Sequence, residues 1–504
     1  MSRAISVGVW SGMFGILTIL LFGDPSVVMC GLICGVFAGL LAGARSDVGT
    51  PAAGARDGAI AGTIAGVIVL VAAVIRASVV APFFGERLEP VGTPLTFGAI
   101  ALLIAVALGA GFGASAFLRG RIGALLPVGG QAAGWSVGRA ATWALLAAII
   151  IAFPFLDRAI GLNWLGIVIT GLIFILLALG LNIVVGYAGL LDLGYAAFFA
   201  IGAYTAALLS SDHLGSQLGY DFHLIFWIMI FVAALMAGLF GLILGAPTLP
   251  LRGDYLAIVT LGFGEIVPIV FRNLDNVTIK IGSWTLLDGL NLTGGEPGIS
   301  PIDPPVLPLV NFADRSDSRP WYFLLIVIIL LSIFLMNRLR ISRLGRAWMA
   351  MREDELAAEA MGINIVRTKL LAFAMGATFS GFGGAYYASF VSGAFPSSFD
   401  FSVSVIVLCM VILGGLGNIY GVIVGGLIIE LSDRLFLPQI SLMLQKIARA
   451  NPTLEGIQQF DPNLYRFGLF GLVLVLMMLL RPEGLLPSAR IKAELHQEEA
   501  VAVN

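Results

Sequence analysis

Apolar stretches long enough to cross a lipid bilayer recur along most of the chain. A spanning helix needs about 20 predominantly apolar residues, and helices satisfy their backbone hydrogen bonds without water. We place candidate spans near residues 5–22, 27–43, 59–80, 95–118, 141–156, 162–185, 195–209, 224–244, 255–271, 321–336, 370–391, 401–429 and 467–480. The pattern predicts an all-α fold, a polytopic transmembrane helical bundle of about 12–14 spans.

Composition agrees with lipid as the solvent. Hydrophobic residues make up 59% of the 504 residues and charged residues only 12%, whereas about 25% of residues are charged in soluble domains. The formal net charge is −2, which excludes a nucleic-acid binder that works through a basic surface. We therefore expect membrane lipid, and no nucleic acid, around this chain.

Residues that hold metals or form covalent intermediates are scarce. The chain has three cysteines and three histidines, and the pair Cys30 and Cys34 has no histidine or third cysteine nearby. Small buried apolar roles are therefore expected for these cysteines. No Gly-Lys-Ser or Gly-Lys-Thr occurs, so a P-loop for ATP is absent. We expect no catalytic residue, no metal and no cofactor, and a transport protein rather than an enzyme.

Charge in the loops predicts the orientation. Residues 273–319 carry six acids and three bases, whereas residues 337–369 carry seven bases and four acids. Basic loops are retained in the cytoplasm, so we expect an extracytoplasmic loop at 273–320, a cytoplasmic loop at 337–369 and a cytoplasmic N-terminus. The run 401–429 is interrupted by glycines at 414, 415 and 417. Because glycine breaks helices, two segments are expected there.

The first 135 residues are expected to form a four-span N-terminal extension. Span 5–22 lacks a small-residue cleavage pattern and continues into another apolar segment, so we expect a retained helix rather than a signal peptide. Two glycine ladders with a spacing of four predict close packing of the second and third spans as a hairpin. Their members are Gly31, Gly35, Gly39, Gly43, Gly54, Gly58, Gly62 and Gly66. A core at 136–487 and a polar tail at 488–504 complete the expected domain organisation.

The segment GRAWMAMREDELAAEAMGINIVRTKL, residues 345–370, is too polar to span a bilayer. Helix formers dominate it, and Gly362 can end the helix. Apolar side chains along it, namely Trp348, Met349, Met351, Leu356 and Met361, suit docking into a groove of a soluble partner. We therefore expect a short cytoplasmic docking helix.

This segment resembles the coupling loop of ABC importer permeases, whose pattern is E-A-A-x-x-x-G. Ala357, Ala358 and Gly362 match that spacing, whereas Leu356 stands where the acid is expected and Glu355 comes one residue early. The downstream Leu-Pro is also missing. The resemblance implies docking on an ATPase by Arg346, Glu355, Ala357, Ala358 and Gly362.

Three longer stretches extend the resemblance. They read GLNIVVGYAGLLDLGYAAFFAIGAYTAALL (180–209), LRGDYLAIVTLGFGEIVPIVFRN (251–273) and VILGGLGNIYGVIVGGLIIE (411–430). Together with the docking segment they are similar to the M-type permease of the branched-chain amino acid ABC importer family, over roughly residues 141–487. In the related urea permeases a Ser-Leu-Gly-His stretch is common, and Asp192-Leu193-Gly194-Tyr195 at that place favours amino acids.

The resemblance implies an ATP-driven importer in the bacterial cytoplasmic (inner) membrane. This chain would be one permease half of a heterodimer with a second related permease. Two cytoplasmic ABC ATPases and an extracytoplasmic amino-acid-binding protein would complete the complex. ATP hydrolysis would occur in the partner subunits, and this chain would change conformation.

Ionisable residues within spans are rare and are functional candidates by default. Asp192 lies in a glycine-interrupted segment that can break a helix and expose backbone groups to a small polar ligand. Candidate pathway residues are Asn182, Gly186, Asp192, Tyr195, Gly262 and Glu265. The structural alternatives are that Asp192 caps a helix and that Glu265 pairs with an arginine such as Arg272.

Other functions remain open from the residues. A urea or short-amide ABC permease would share the same motifs. An ion-gradient-driven secondary transporter could use Asp192 and Glu265 as proton or sodium sites. A membrane enzyme is disfavoured because histidine and cysteine are nearly absent from the spans.

Overall fold

The computed structural model describes residues 51–75, 100–110, 137–161, 163–218, 223–248, 254–281, 284–307, 310–314, 317–450, 461–481 and 484–486. Predicted spans 5–22 and 27–43, the first glycine ladder and the tail 488–504 lie outside these residues. The chain divides into two compact units. The first comprises Met1–Trp164 and Phe436–Asn463, and the second comprises Leu165–Leu435 and Leu464–Asn504.

The first unit contains four helices in its described part: α1 (Pro51–Ile75), α2 (Ile100–Ala110), α3 (Val137–Ile160) and, from the later segment, α15 (Leu437–Ala450). Gly62 and Gly66 of α1 face Ala105 and Leu102 of α2, and Gly109 faces Gly58. A Cβ at these glycines would clash with the opposite backbone or side chain, so the second ladder allows the third and fourth predicted spans to pack closely. The hairpin predicted with the second span stays a prediction.

Helices of the second unit are α4 (Leu165–Leu181), α5 (Tyr195–Leu209), α6 (Asp212–Leu218), α7 (Phe226–Thr248), α8 (Asp254–Asn273), α9 (Arg319–Ile341), α10 (Arg343–Glu353), α11 (Glu355–Ala360), α12 (Ile365–Val391), α13 (Phe401–Gly414), α14 (Ile419–Leu431) and α16 (Arg466–Leu480). π-Helical turns follow α4 at Asn182–Tyr187 and α14 at Ser432–Phe436, and 3₁₀ turns occupy Pro396–Phe399 and Pro462–Tyr465.

The core of the second unit surrounds α12, which packs on α4, α5 and α7. A Cβ at Gly202 of α5 would meet the Gly381 backbone of α12, and a Cβ at Gly381 would meet Ala234 and Ala237 of α7. Small residues at these contacts bring helix backbones together where lipid offers no hydrophobic driving force. As a result α5 is almost fully buried.

Among the described residues, seven helices are long and apolar enough to cross a membrane. This confirms a polytopic helical membrane fold. The run 401–429 forms two helices, as expected, because Gly415 and Gly417 adopt φ of 115° and 75° between α13 and α14. Helix α15 was not among the predicted spans, since its polar positions interrupt the apolar run.

Two short antiparallel hairpins lie in the loop between α8 and α9. Strand β1 (Val277–Ile281) pairs with β2 (Trp284–Leu290), with Val277 opposite Leu290 and Ile281 opposite Trp284. Strand β3 (Val306–Leu307) pairs with β4 (Val310–Asn311). They decorate the helical fold and leave its class unchanged.

Contacts between loops define two ends of the second unit. At one end His223 pairs with Asp303 and, at 2.8 Å, with Asp212, and the Ile299 and Ala394 backbones exchange two hydrogen bonds. At the other end the turn after α4, helix α10 and the α13–α14 turn meet. Segments that the alternating spans predict to share a side of the membrane therefore lie together.

Candidate functional site

Helix α4 breaks before α5 begins, as the glycine-interrupted sequence predicts. The π-helical turn Asn182–Tyr187 continues α4, and residues 188–194 are non-helical. Gly189 adopts φ of 71°, a conformation that favours glycine. We call residues 182–194 the broken segment. It leaves backbone groups available for contacts outside the helix ladder.

Asn182 joins the broken segment to the α13–α14 turn. Its side chain is fully buried, and its Oδ1 accepts a hydrogen bond from the Gly417 amide at 2.9 Å. Its Nδ2 is buried and has no hydrogen-bond partner within the described residues. Gly186 lies directly beside this side chain, because a Cβ there would run into Asn182 and the Gly417 amide.

Asp192 lies near the end of the broken segment with 1% of its surface exposed. Oδ1 accepts a hydrogen bond from the Gly194 amide at 2.9 Å, and Thr260 Oγ1 of α8 accepts one from the Leu193 amide at 3.1 Å. Oδ2 is buried and finds no hydrogen-bond partner in the part of the chain that is described. Asp192 thus stabilises the local turn through one carboxylate oxygen, and the other oxygen accepts no hydrogen bond from the described residues.

Tyr195 is a packing residue in this structure. Its hydroxyl donates to the Gly376 carbonyl of α12 at 2.9 Å, and the ring is fully buried. The hydroxyl fills the space opposite Gly180 of α4. The first turn of α5 is thereby held against α4 and α12.

Gly262 and Glu265 belong to α8, whose other face contacts the broken segment. Gly264 packs on Gly194, whereas Glu265 is exposed and no atom lies within 4 Å of a Cβ built at Gly262. Among the described residues, Arg272 has its carboxylate neighbours at Glu296 (3.4 Å) and Asp400 (3.8 Å). The alternative pairing of Glu265 with Arg272 is therefore not present.

The docking segment, α10 and α11 with Gly362, forms two helices instead of the single helix expected. Asp354 separates them with an extended backbone, and its Oδ1 accepts hydrogen bonds from the Leu356 and Ala357 amides at 2.8 and 3.0 Å. Aspartate favours this N-cap position over a helix interior. Gly362 ends α11 at φ of 85°, which agrees with the expected glycine terminus.

Burial within the chain corrects the expected docking surface. Trp348 and Met351 are 0% and 2% exposed, and Trp348 Nε1 donates to the Thr368 carbonyl at 2.8 Å. Ala358 is also buried. These residues hold the segment to its own chain, because the apolar face of α10 packs inward. Leu356 and Met361 are 65% and 84% exposed.

The other docking candidates divide into exposed and internally paired residues in the same way. Arg346 and Ala357 are exposed, as a docking surface requires. Glu355 instead pairs with Lys369 of α12 at 2.7 Å, and the Lys369 side chain is only 6% exposed. A buried ammonium needs such a partner, so Glu355 anchors α11 to α12.

Arg352 connects the docking segment to the broken segment. Its Nη1 donates to the Gly186 carbonyl at 2.5 Å, and its aliphatic stem covers Gly189. Gly417 also faces the guanidinium. The sequence did not single out Arg352, because seven bases crowd this loop and their spacing distinguishes none of them.

Metal ligands do not cluster near these residues. Across the described ranges, no group of three or more histidine, cysteine, aspartate or glutamate side chains is arranged to hold a metal ion. The site offers buried amide, carboxylate and backbone groups, which suit hydrogen bonding and a change of conformation.

Comparison with known proteins gives a consistent match. Residues 163–479 match the family model for the permease component of branched-chain amino acid transport systems. High-affinity branched-chain amino acid transport system permease protein LivM of Escherichia coli (strain K12) is 37% identical over 370 residues, 69% of this chain and 75% of the relative. LivM of Salmonella typhimurium (strain LT2) is 36% identical over 375 residues, 70% and 76% of the two chains.

The permease protein LivH of Salmonella typhimurium is also related, at 23% identity over 277 residues, 53% of this chain and 82% of LivH. No solved structure matches the chain. The family model covers more than half of the sequence, including the broken segment, α8 and the docking segment. This chain therefore belongs to the family of permease components of branched-chain amino acid transport systems.

Proposed function

We propose that this chain is the transmembrane permease subunit of an ATP-driven importer for branched-chain, hydrophobic amino acids. It forms half of the translocation pathway and couples to cytoplasmic ATPases. The observation that carries the proposal is the match of residues 163–479 to the permease family. The Arg352–Gly186 hydrogen bond of 2.5 Å supports coupling, because it joins the polar docking segment to the broken segment. The names of the LivM relatives support the substrate class.

The complex we propose has a second related permease, two ABC ATPases and an extracytoplasmic amino-acid-binding protein. The relationship to LivH supports a second permease of the same family. The chain would be a multi-pass protein of the bacterial cytoplasmic (inner) membrane with a cytoplasmic N-terminus. It would act by conformational change, with ATP hydrolysis confined to the ATPases.

Coupling would begin at the exposed part of the docking segment. Leu356, Ala357 and Met361 present apolar surface to the ATPase, and Arg346 adds charge. The Glu355–Lys369 pair holds the inward-facing side of the docking segment to α12, so α12 would move with the segment. Because Arg352 holds the Gly186 carbonyl, displacement of α10 would pull on the broken segment.

The broken segment would respond by repositioning polar groups. Asn182 and Asp192 each keep one buried atom without a hydrogen-bond partner among the described residues. A zwitterionic substrate needs such groups for its charged ends, and an apolar pocket for its side chain. We propose 136–487 as the permease core, 1–135 as a four-span extension and 488–504 as a tail.

The substrate proposal is tested with labelled leucine in ATP-loaded proteoliposomes that contain the purified complex and its binding protein. Unlabelled valine and isoleucine should compete, and urea should not. Competition by urea with no effect of valine would instead favour the short-amide permease. Liposomes that contain the ATPases alone provide the background.

A further inference from the structure

A carboxylate lies exposed near the middle of a membrane helix. Helix α8 has 20 residues and is therefore about 30 Å long. Glu265 is eight or more residues from both ends of the span Tyr255–Asn273. In the other candidate spans of the described chain, every charged residue lies within four residues of an end.

Glu265 belongs to a continuous face of α8. Tyr255, Ile258 and Ile269 share that face and are 71%, 64% and 53% exposed. Gly262 lies one turn before Glu265, and a Cβ built there would meet open space. The spacing of three and four residues keeps these positions on one side of the helix.

The exposed faces of α7 and α9 lack such a group. On α9 the residues Val327, Leu330 and Phe334 are 61%, 60% and 54% exposed, and on α7 Leu235 is 72% exposed. Neither span has a charged residue in its central part. These faces suit contact with lipid acyl chains, because apolar side chains need no hydrogen-bond partner in the bilayer.

The α8 face does not suit lipid. A charged side chain at the bilayer centre is expensive and is found facing a bundle interior or a water-filled cavity. The opposite side of α8 already packs on the broken segment through Thr260 and Gly264. The side that contacts the broken segment and the exposed side that carries Glu265 therefore belong to the same helix.

We propose that the face formed by Tyr255, Ile258, Gly262, Glu265 and Ile269 contacts the second permease subunit, with Glu265 in a water-filled route between the two subunits. The inference rests on the proposed function, since it takes the second permease from that complex. A membrane helix is the occupant that fits, because apolar residues lie both above and below Glu265. ATPases cannot reach this depth, and the open space at Gly262 leaves room for water.

The interface is tested by photo-crosslinking in the assembled complex. A benzophenone amino acid replaces Ile258 in one variant and Leu330 in the matched control, which is equally exposed but on α9. The second permease carries its own tag. We expect a covalent product with the second permease from position 258 and none from position 330. Crosslinks to lipid alone, to another copy of this chain, or equally from both positions would overturn the interface.

The position of Glu265 is tested with Glu265→Gln and Glu265→Leu. If it lines the route, Glu265→Leu loses more uptake than Glu265→Gln, while the position 258 product persists in both. Wild-type uptake by Glu265→Leu would place the side chain outside the route and contradict that part. Wild-type uptake without ATP would instead refute the proposed ATP-driven function, and the crosslink would still decide the interface.

Discussion

At the residue scale, the break between α4 and α5 concentrates buried polar groups. The rarity of polar residues in membrane spans is enough to identify Asn182 and Asp192 as candidate pathway residues from the sequence. Tyr195 is a candidate from the same stretch, but its hydroxyl donates a hydrogen bond to the Gly376 carbonyl within the helix bundle. Arg352 could not be selected, since its role depends on the contact between residues 166 positions apart.

Asp192→Asn should separate folding from transport. The amide oxygen can keep the Gly194 hydrogen bond, and the buried unpaired Oδ2 is replaced by an uncharged group. We expect an unchanged or higher Tm, because an uncharged amide costs less free energy to bury than a carboxylate. Uptake should fall about ten- to a hundredfold, since a charge-assisted bond to the substrate contributes about 1.5–3 kcal/mol. Wild-type uptake would leave Asp192 as a helix cap, a role that asparagine fills nearly as well.

Arg352→Ala should lower the number of amino acids transported per ATP hydrolysed. The variant loses the bond to the Gly186 carbonyl and the cover over Gly189, while the exposed docking surface remains. Transport and ATPase rates are measured on the same purified complex. Arg367→Ala is the matched control, because Arg367 is an exposed arginine of the same loop. An unchanged transport-to-ATPase ratio in Arg352→Ala would remove this residue from the coupling route.

At the element scale, helix ends were predictable where a residue type dictates the backbone. Gly362 ends α11, and Gly415 and Gly417 separate α13 from α14, because those positions have positive φ. The break at Asp354 was not predicted, since the surrounding helix formers outweigh one aspartate in a pattern. The inward direction of Trp348 depends on the partner face of α12, which a single segment does not reveal.

Gly362→Val should reduce coupled transport without unfolding the spans. No heavy atom lies within 4 Å of a Cβ at this position, so the penalty comes from the φ of 85°. An L-residue in this region costs about 1–2 kcal/mol, which would shift the end of α11 and its docking surface. Gly166→Val is the control, because its surroundings are equally open. Normal uptake by a well-expressed Gly362→Val protein would contradict the docking role.

The His223 cluster should make stability depend on pH. Hydrogen bonds with Asp303 and Asp212 raise the pKa of His223 above its ordinary value of about 6.5. The ion pairs therefore stabilise the fold fully below about pH 6.5, and this contribution disappears as pH rises through the raised pKa. We expect the Tm difference between wild type and His223→Gln to shrink with increasing pH. A difference that grows with pH would show the opposite linkage.

At the scale of the whole molecule, hydropathy predicted most described helices, because lipid requires long apolar segments. The three-dimensional contacts show in addition which loops lie at the same end of the second unit. Examples are the pairs His223–Asp303 and Arg352–Gly186. Hydropathy gave no sign of α15, whose polar residues lie among apolar ones. Nor could it reveal which face of α8 is exposed, since that follows from the packing of Gly264 on Gly194.

Dependence on ATP tests the central claim most directly. Leucine uptake is measured in proteoliposomes that contain the complete complex, with ATP available to the ATPases and with ionophores that collapse proton and sodium gradients. An ABC importer subunit should transport at the same rate with or without the gradients and should stop when ATP is replaced by a non-hydrolysable analogue. Uptake that ends when the gradients collapse, or that continues without ATP hydrolysis, would contradict an ATP-driven permease and favour a secondary transporter.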